Sequence, residues 1–518
     1  KMLLVAIATG GVGILSSYYS AKLAAGFSYF TRSSIFGKVQ KISVSDLNEF
    51  GVASLLTRTV NDVETISEAL VLFCQMILPA PLISLIAIYM TAVVSASLVW
   101  IPLVGVVLFS VLVGVLMVKG QPFSMAVQEK MDRIVCSLRE FYSGIRVIRA
   151  FNNESYEKEK TDHTFKDYAD NMIALNKLFA VLTPIVSALI GLSMTAILWF
   201  GGIGVGRGDM QIGSVTAVVE YVTLTLMYLV TAAMVLITLP SSMASLYRIQ
   251  QVFDKEPEIK DCEVASAEGQ TQEAPIVQFD DVAFTYPDAE DAVLKGISFD
   301  VRKGETLAIV GSTGSGKSTI AKLLLRFSDP TEGSIQLKGQ RIRNLPQKTV
   351  RDRISYVPQK AYLFSGTILD NLTIGARKAS VQRIEKFSGV AQAKEFIEKL
   401  PQGYGSFVAQ SGSNYSGGQK QRLSIARALI KQADVYVFDD SFSALDYKTD
   451  GLIRKALKKE LADAATIIVA QRLSTVADAD RILLLDKGEI VGDGTHQQLL
   501  QGNALYRDFA KSQQMLPE

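Results

Sequence analysis

Residues 311 to 319 read Gly-Ser-Thr-Gly-Ser-Gly-Lys-Ser-Thr, with glycines at 311, 314 and 316 and a lysine and a hydroxyl directly after the last. Glycines at that spacing let successive backbone N–H groups turn inward, and a ring of inward N–H groups binds an anion. Gly311, Ser312, Thr313, Gly314, Ser315, Gly316, Lys317, Ser318 and Thr319 therefore read as a phosphate cradle. Lys317 reaches the outer phosphates and the Ser318 hydroxyl is placed to ligate Mg²⁺. The run from Thr306 to Val310 ahead of the loop is apolar enough for a buried strand, and an amphipathic helical pattern follows it. In that strand-to-helix context the spacing G-x-x-x-x-G-K-S is a strong signal, so a nucleotide is the expected ligand.

Composition limits what such a site serves. With 518 residues, 48% of them hydrophobic, the chain is too long and too apolar for one soluble domain. A membrane part and a soluble part are expected. The 53 basic residues against 51 acidic ones give a net charge of +2, which provides no field for nucleic acid. Cys74, Cys136 and Cys262 are far apart and lack metal-ligand spacing, which argues against a disulfide framework or a zinc site. His163 and His496 have no Cys or His companion at ligand spacing and read as solvated polar residues.

The apolar half comes first. Residues 2 to 21 carry no charge over a length that crosses a bilayer, too long for the apolar core of a signal peptide. Ala69 to Val118 holds 50 uncharged residues, enough for two spans with a tight turn near Ser95 to Trp100. Leu178 to Gly206 and Tyr221 to Tyr247 supply a fourth and a fifth span around the linker Arg207-Gly208-Asp209. Glu220 is the one acid in the last apolar region, either a functional charge or a headgroup-zone residue. The polar stretches 22 to 68 and 119 to 177, the second with ten Lys and Arg, belong in the cytoplasm by the positive-inside rule. Their apolar residues recur at helical spacing, so each reads as helices continuing below the membrane. Five spans then put Lys1 outside and the nucleotide site inside, and an upstream first span is expected.

A linker from Asp254 to Pro275, with seven acidic and two basic residues, reads as solvated and flexible. From Ile276 the pattern changes to short β-rich runs, indicating an α/β domain that opens with antiparallel strands. Within it Val435 to Asp439 is a buried strand ending in an acid that orients Mg²⁺.

At this point a resemblance becomes specific. Phe50, Leu55, Arg58, Asn61 and Asp62, then Gly144 to Phe151 with Glu154, look like the intracellular-loop patterns of ABC exporters. The resemblance implies coupling helices near Val44 to Gly51 and Phe151 to Tyr156. Phe284-Thr285-Tyr286-Pro287 resembles the aromatic loop of ABC ATPases, making Tyr286 the adenine-stacking residue. Tyr356-Val357-Pro358-Gln359 resembles the Q-loop, whose Gln359 touches Mg²⁺. Asn414-Tyr415-Ser416-Gly417-Gly418-Gln419 resembles the ABC signature, with Tyr415 where Leu is usual. Ser416, Gly417, Gly418 and Gln419 open a helix, an anion-binding end suited to the γ-phosphate held by another subunit. Asp439 matches Walker B and Asp446 the D-loop. Two positions depart: Asp440 stands where the family has a catalytic Glu, and Gln471 where it has a switch histidine. The catalytic carboxylate is one methylene short, and glutamine takes up no proton at neutral pH. Ala409-Gln410-Ser411-Gly412 also replaces the usual Gly-Glu-Arg-Gly.

The resemblance covers nearly the whole chain. It implies an α-helical polytopic transmembrane domain (1–253), a linker (254–275) and an α/β P-loop ABC nucleotide-binding domain (276–518) in the plasma membrane, using ATP and Mg²⁺. Two nucleotide domains would pair head to tail. The expected partner is a different half-transporter bearing Glu after Walker B and a switch histidine. In that pairing this chain makes the weak site and lends its signature to the strong one. The cargo would be a drug, lipid or peptide. A homodimeric exporter with slow sites, or an ATP-gated regulatory or channel-like ABC protein, remain the alternatives.

Overall fold

The computed structural model describes residues 2–261, 275–287 and 289–513. It divides into two compact units, Lys1–Lys41 with Phe50–Glu256, and Ile42–Glu49 with Pro257–Glu518. Of the linker expected at 254–275, residues 262–274, Cys262 included, lie outside the described residues.

The first unit is helical, and the helices of this part of the chain are α1 (Met2–Val39), α2 (Val44–Phe50, of which 44–49 belong to the second unit), α3 (Val52–Thr57), α4 (Val63–Leu72), α5 (Pro79–Val94), α6 (Trp100–Ala150), α7 (Glu154–Ala180), α8 (Leu182–Gly206) and α9 (Ile212–Asp254). Among the described residues, five stretches are long and apolar enough to cross a membrane: Met2–Val39, Val52–Val94, Ala96–Ala150, Glu154–Gly206 and Ile212–Asp254. Only helices that close their own backbone hydrogen bonds meet that requirement without a sheet. The hairpin turn lies where the uncharged run predicts it, between Val94 and Trp100. Leu98, Ile101, Phe109, Val186, Ile197 and Val218 form the centre of this unit's core.

The fifth apolar run, Tyr221 to Tyr247, lies within a longer helix, α9, which starts at Ile212 after extended Gln211 and carries exposed Glu220. One expectation is corrected. The second coupling region holds no short helix of its own. α6 runs to Ala150 and α7 starts at Glu154, and Asn152 in the left-handed region (φ 51°) reverses the chain within three residues. The first coupling region, expected at Val44 to Gly51, is helical in α2, and its residues 44–49 group with the second unit. There the Ser43 hydroxyl donates to Asp46 Oδ2 at 2.7 Å, and the Glu258 N–H reaches the same oxygen at 3.5 Å.

π-turns at Arg58–Asp62 and Phe73–Ile77 interrupt the second span. The first contains a buried acid. Asp62, 3% exposed, accepts from Ser245 Oγ at 3.0 Å and from Arg248 Nε and Nη2 at 2.8 and 2.5 Å. Arg58 donates to the Arg248 carbonyl at 2.7 Å and lies 4.9 Å over the Phe50 ring.

The second unit is α/β. Its strands are β1 (Val277–Phe284), β2 (Leu294–Val301), β3 (Thr306–Gly311), β4 (Glu332–Leu337), β5 (Gln340–Arg341), β6 (Ile354–Val357), β7 (Gly366–Thr367), β8 (Phe407–Val408), β9 (Val435–Asp439), β10 (Ala465–Val469), β11 (Arg481–Asp486) and β12 (Glu489–Gly494). β2-β1-β4-β5 form an antiparallel sheet, and β12-β11-β3-β10-β9-β6 a second one, parallel except for β12. A parallel strand covered on both faces is apolar on both, and β9 and β10 are buried at every residue. In β3, Leu307 and Ile309 face the core shared with the antiparallel sheet, while Ala308 and Val310 face the helices. Each buried Ile, Leu or Val contributes about 1.5–3 kcal/mol by leaving water, so the strand ends that carry the site are firmly held. His163 is exposed as expected, but His496 is not simply solvated: its Nδ1 lies 2.8 Å from the hydroxyl of buried Tyr506.

Candidate active site

The phosphate loop leaves β3 at Gly311 and enters the helix Lys317–Leu324 through Gly316. Both glycines are required. A Cβ at Gly311 would stand 2.2 Å from the Leu485 carbonyl oxygen, and one at Gly316, which is left-handed at φ 98°, 2.6 Å from the Leu294 side chain. Lys317 Nζ donates to the carbonyls of Gly311 at 2.8 Å and Ser312 at 2.6 Å. Burial lowers the Lys317 pKa from its ordinary value, and the carboxylates of Asp440 and Asp439 act in the other direction. A phosphate oxygen offers that ammonium a charged acceptor in place of two neutral ones.

Pairing of the central strands brings the acids to this loop. β9 ends at Asp439, two strands from β3, and the Ser318 hydroxyl donates to Asp439 Oδ1 at 2.9 Å. Tyr356, on neighbouring β6, donates its hydroxyl to Asp439 Oδ2 at 3.1 Å. Burial, then the Asp439 charge, pushes the Tyr356 phenol well above its ordinary pKa, so it remains a donor. Gln359, just beyond β6, donates from Nε2 to Asp440 Oδ2 at 3.1 Å. Asp440 has φ 45°, and its N–H is fixed on the Val469 carbonyl at 2.8 Å. Its carboxyl pKa is raised, first by burial and then by Asp439, against the lowering effect of the Gln359 bond.

A serine hydroxyl beside a buried carboxylate, with a glutamine amide close by, is a hard oxygen donor set that fits Mg²⁺. Among the described residues, no group of three or more His, Cys, Asp and Glu could hold a metal without such help. This suits an ion that shares its coordination with phosphates. When bound, Mg²⁺ supplies charge neutralisation on those phosphates.

The other named residues are arranged around this centre. The Tyr286 hydroxyl lies 3.4 Å from Thr319 Oγ1, its ring stands edge-on to Phe284, and Lys322 Nζ is 5.8 Å from the ring centre. Ser416, Gly417, Gly418 and Gln419 do not hydrogen-bond to the phosphate loop. Ser416 caps the helix Gly417–Ile430, accepting from the Gln419 N–H at 3.3 Å while Gln419 Oε1 accepts from the Ser416 N–H at 2.9 Å. Tyr415, in the position where leucine is usual, is buried and donates to the Phe407 carbonyl at 3.3 Å. Asp446 caps the helix Tyr447–Glu460 through the Thr449 N–H, and that bond holds its pKa down. In the deviating segment Ala409–Gly412, Ser411 takes a left-handed turn and its carbonyl accepts from Lys420 at 3.2 Å. Gln471 is exposed just after β10.

Two participants were given no role by the sequence. Tyr356 is visible only as part of the Q-loop resemblance, and its bond follows from the β6–β9 pairing. Gln513 donates from Nε2 to the Gln471 carbonyl at 2.8 Å and accepts from the Leu473 N–H at 2.8 Å, across about forty residues with no local pattern to announce it.

The family model described as ABC transporter matches residues 294–443, and the model described as ABC transporter transmembrane region matches residues 2–230. An uncharacterised ABC transporter ATP-binding protein of Mycobacterium tuberculosis is 36% identical over 503 residues, 96% of this chain and 86% of that protein. An ATP-dependent lipid A-core flippase of Chromohalobacter salexigens is 32% identical over 508 residues, with the same 96% and 86% coverage. A probable multidrug resistance ABC transporter ATP-binding/permease protein of Bacillus subtilis is 34% identical over 384 residues, 74% of this chain and 64% of that protein. The solved structure of a bacterial Atm1-family ABC exporter with ATP bound is similar with a TM-score of 0.82 at 27% identity, over 96% of this chain and 86% of that one. With its helical membrane region, its phosphate loop joined to Asp439 through Ser318, and relatives matched over most of their length, this chain belongs to the ABC transporter family and has the exporter fold.

Proposed function

We propose that this ATP-driven exporter, multi-pass in the plasma membrane with its nucleotide-binding domain in the cytoplasm, is one half of a pair of unlike subunits and holds the weaker of two ATP sites. The observation that carries this reading is the pair Asp440 and Gln471. Asp440 is fixed by its backbone and by Gln359, one methylene short of a glutamate's reach, and Gln471 offers no ring to take up a proton. A displacement of about 1 Å in a catalytic group costs on the order of a hundredfold in rate. Lys317, Ser318, Asp439 and Gln359 still bind ATP with Mg²⁺, and Tyr286 stacks on the base. The capping box at Ser416 and Gln419 leaves N–H groups of Gly417 and Gly418 at a helix start for the γ-phosphate held by the partner. Asp446 lies at the same junction. The relatives named as a lipid A-core flippase and a probable multidrug resistance transporter favour amphipathic or lipophilic cargo, drug or lipid before peptide.

Co-purification from native membranes tests the pairing. The expected result is a complex with a second half-transporter bearing Glu after Walker B and a switch histidine. Recovery of a self-paired dimer with robust ATP turnover would overturn the proposal in favour of a homodimeric exporter.

A further inference from the structure

Outside the ATP site, the nucleotide-binding unit holds a cavity of about 530 Å³ beneath the helix Tyr447–Glu460. It opens at the ends of β3 and β10 marked by Thr306 and Thr466, which pair across the two strands. Those are the N-terminal ends. The phosphate loop leaves the opposite, C-terminal end of β3, so the cavity and the ATP site lie at opposite edges of one sheet. Leu457, Ile468 and Ala479 give the cavity an apolar floor. Thr466 and Thr475, 5% and 6% exposed, line it, and among the described residues neither hydroxyl makes a hydrogen bond.

The rim is mostly basic. Arg454, Lys455, Lys458 and Lys459 face a single lining carboxylate, Asp478. Arg454 is held by Asp450 at 2.9 Å and Lys458 by Asp480 at 3.0 Å. Lys455 and Lys459 are exposed and, among the described residues, make no ion pair or hydrogen bond. An apolar floor and two unpaired ammonium groups on its rim suit a ligand with an apolar body and an anionic head. The volume lies within the roughly 300–1,000 Å³ of small-molecule sites.

We propose that this cavity binds a small amphipathic anion, an aromatic or aliphatic body bearing one carboxylate or sulfonate, with the head on Lys455 and Lys459 and the body against Leu457 and Ile468. Its ligand restrains the helix that begins at the Asp446 cap, and so bears on the D-loop from behind.

The test uses the full chain in lipid nanodiscs with naphthalene-2-sulfonate as the probe, read by amide hydrogen exchange. With the probe at roughly ten times its dissociation constant, mass action slows exchange from openings that release it by about tenfold. That slowing is expected in peptides covering 447–460 and 465–469. Uncharged 2-methylnaphthalene should give little of it, and Lys455→Glu with Lys459→Glu should abolish it. If the charge-reversed chain fails to fold, Lys455→Gln with Lys459→Gln carries the same comparison. No slowing, equal slowing by the uncharged compound, or undiminished slowing in the charge-altered chain would each overturn the proposal.

Discussion

Asp440 and Gln471 differ from the family pattern by one methylene and one ring, and the surroundings of each decide what a repair achieves. The Asp440 backbone is fixed by its bond to Val469 and its carboxylate by Gln359, so glutamate there gains reach without moving the chain. Gln471 sits on a loop whose carbonyl is held by Gln513, so a histidine would be placed by that loop and not free to drift. Asp440→Glu alone should therefore change hydrolysis at this site little, while Asp440→Glu with Gln471→His should raise it by up to about a hundredfold, the lower range for a positioned acid or base. Single-turnover hydrolysis with the partner's site disabled measures it. Full recovery with Asp440→Glu alone would show that glutamine suffices. The contiguous residues were legible because their chemistry fixes their spacing: a loop that wraps a phosphate needs Gly311, Gly314 and Gly316 within six positions. Tyr356 and Gln513 were not, because each earns its place by a contact made only after folding.

At the next level, the π-turn Arg58–Asp62 and α9 are joined by the buried carboxylate of Asp62. The sequence named Arg58, Asn61 and Asp62 through a resemblance but gave no hint of Arg248, which is 186 residues away. A helix of a given hydropathy looks the same whether its polar residue meets lipid headgroups or another helix. For the same reason an apolar run from Tyr221 to Tyr247 does not show that its helix starts at Ile212, with Glu220 on an exposed face. Asp62 is 4% exposed at its side chain while Arg248 is 44% exposed, so the two halves of the pair are not equivalent. Arg248→Ala leaves a buried carboxylate with only Ser245 as donor, a loss on the order of 2 kcal/mol once the arginine's solvent exposure is allowed for. Asp62→Asn keeps an acceptor and frees an arginine that water can reach, and should cost less. Thermal unfolding of the purified chain compares them, and equal shifts would argue against a clamp governed by the buried acid.

For the assembled exporter, the capping geometry makes an asymmetric prediction. Gly418 lies at the helix start, where the proposed composite site brings the partner's phosphate, so Gly418→Glu adds bulk and negative charge there. ATP turnover of the paired complex should collapse, while nucleotide binding at this chain's Lys317 survives. Lys317→Ala should do the reverse, weakening occupancy here and reducing transport without abolishing it. Near-normal turnover with Gly418→Glu would remove the composite-site assignment. The fold class and the order of the motifs were readable in advance because each unit announces itself by period, long uncharged runs in one and short buried strands in the other. The three-residue reversal at Phe151–Asn153 was not, since it depends on Asn152 adopting a left-handed backbone. That reversal ends α6, a continuous helix of 51 residues with Pro122 inside it. At 1.5 Å per residue α6 is about 77 Å long, so a tilt of roughly 5° about its membrane end sweeps its tip through about 7 Å, more than one helical turn. A rod of that length is a lever arm, and very small angular changes among the spans suffice for a full mechanical stroke at the Asn152 reversal.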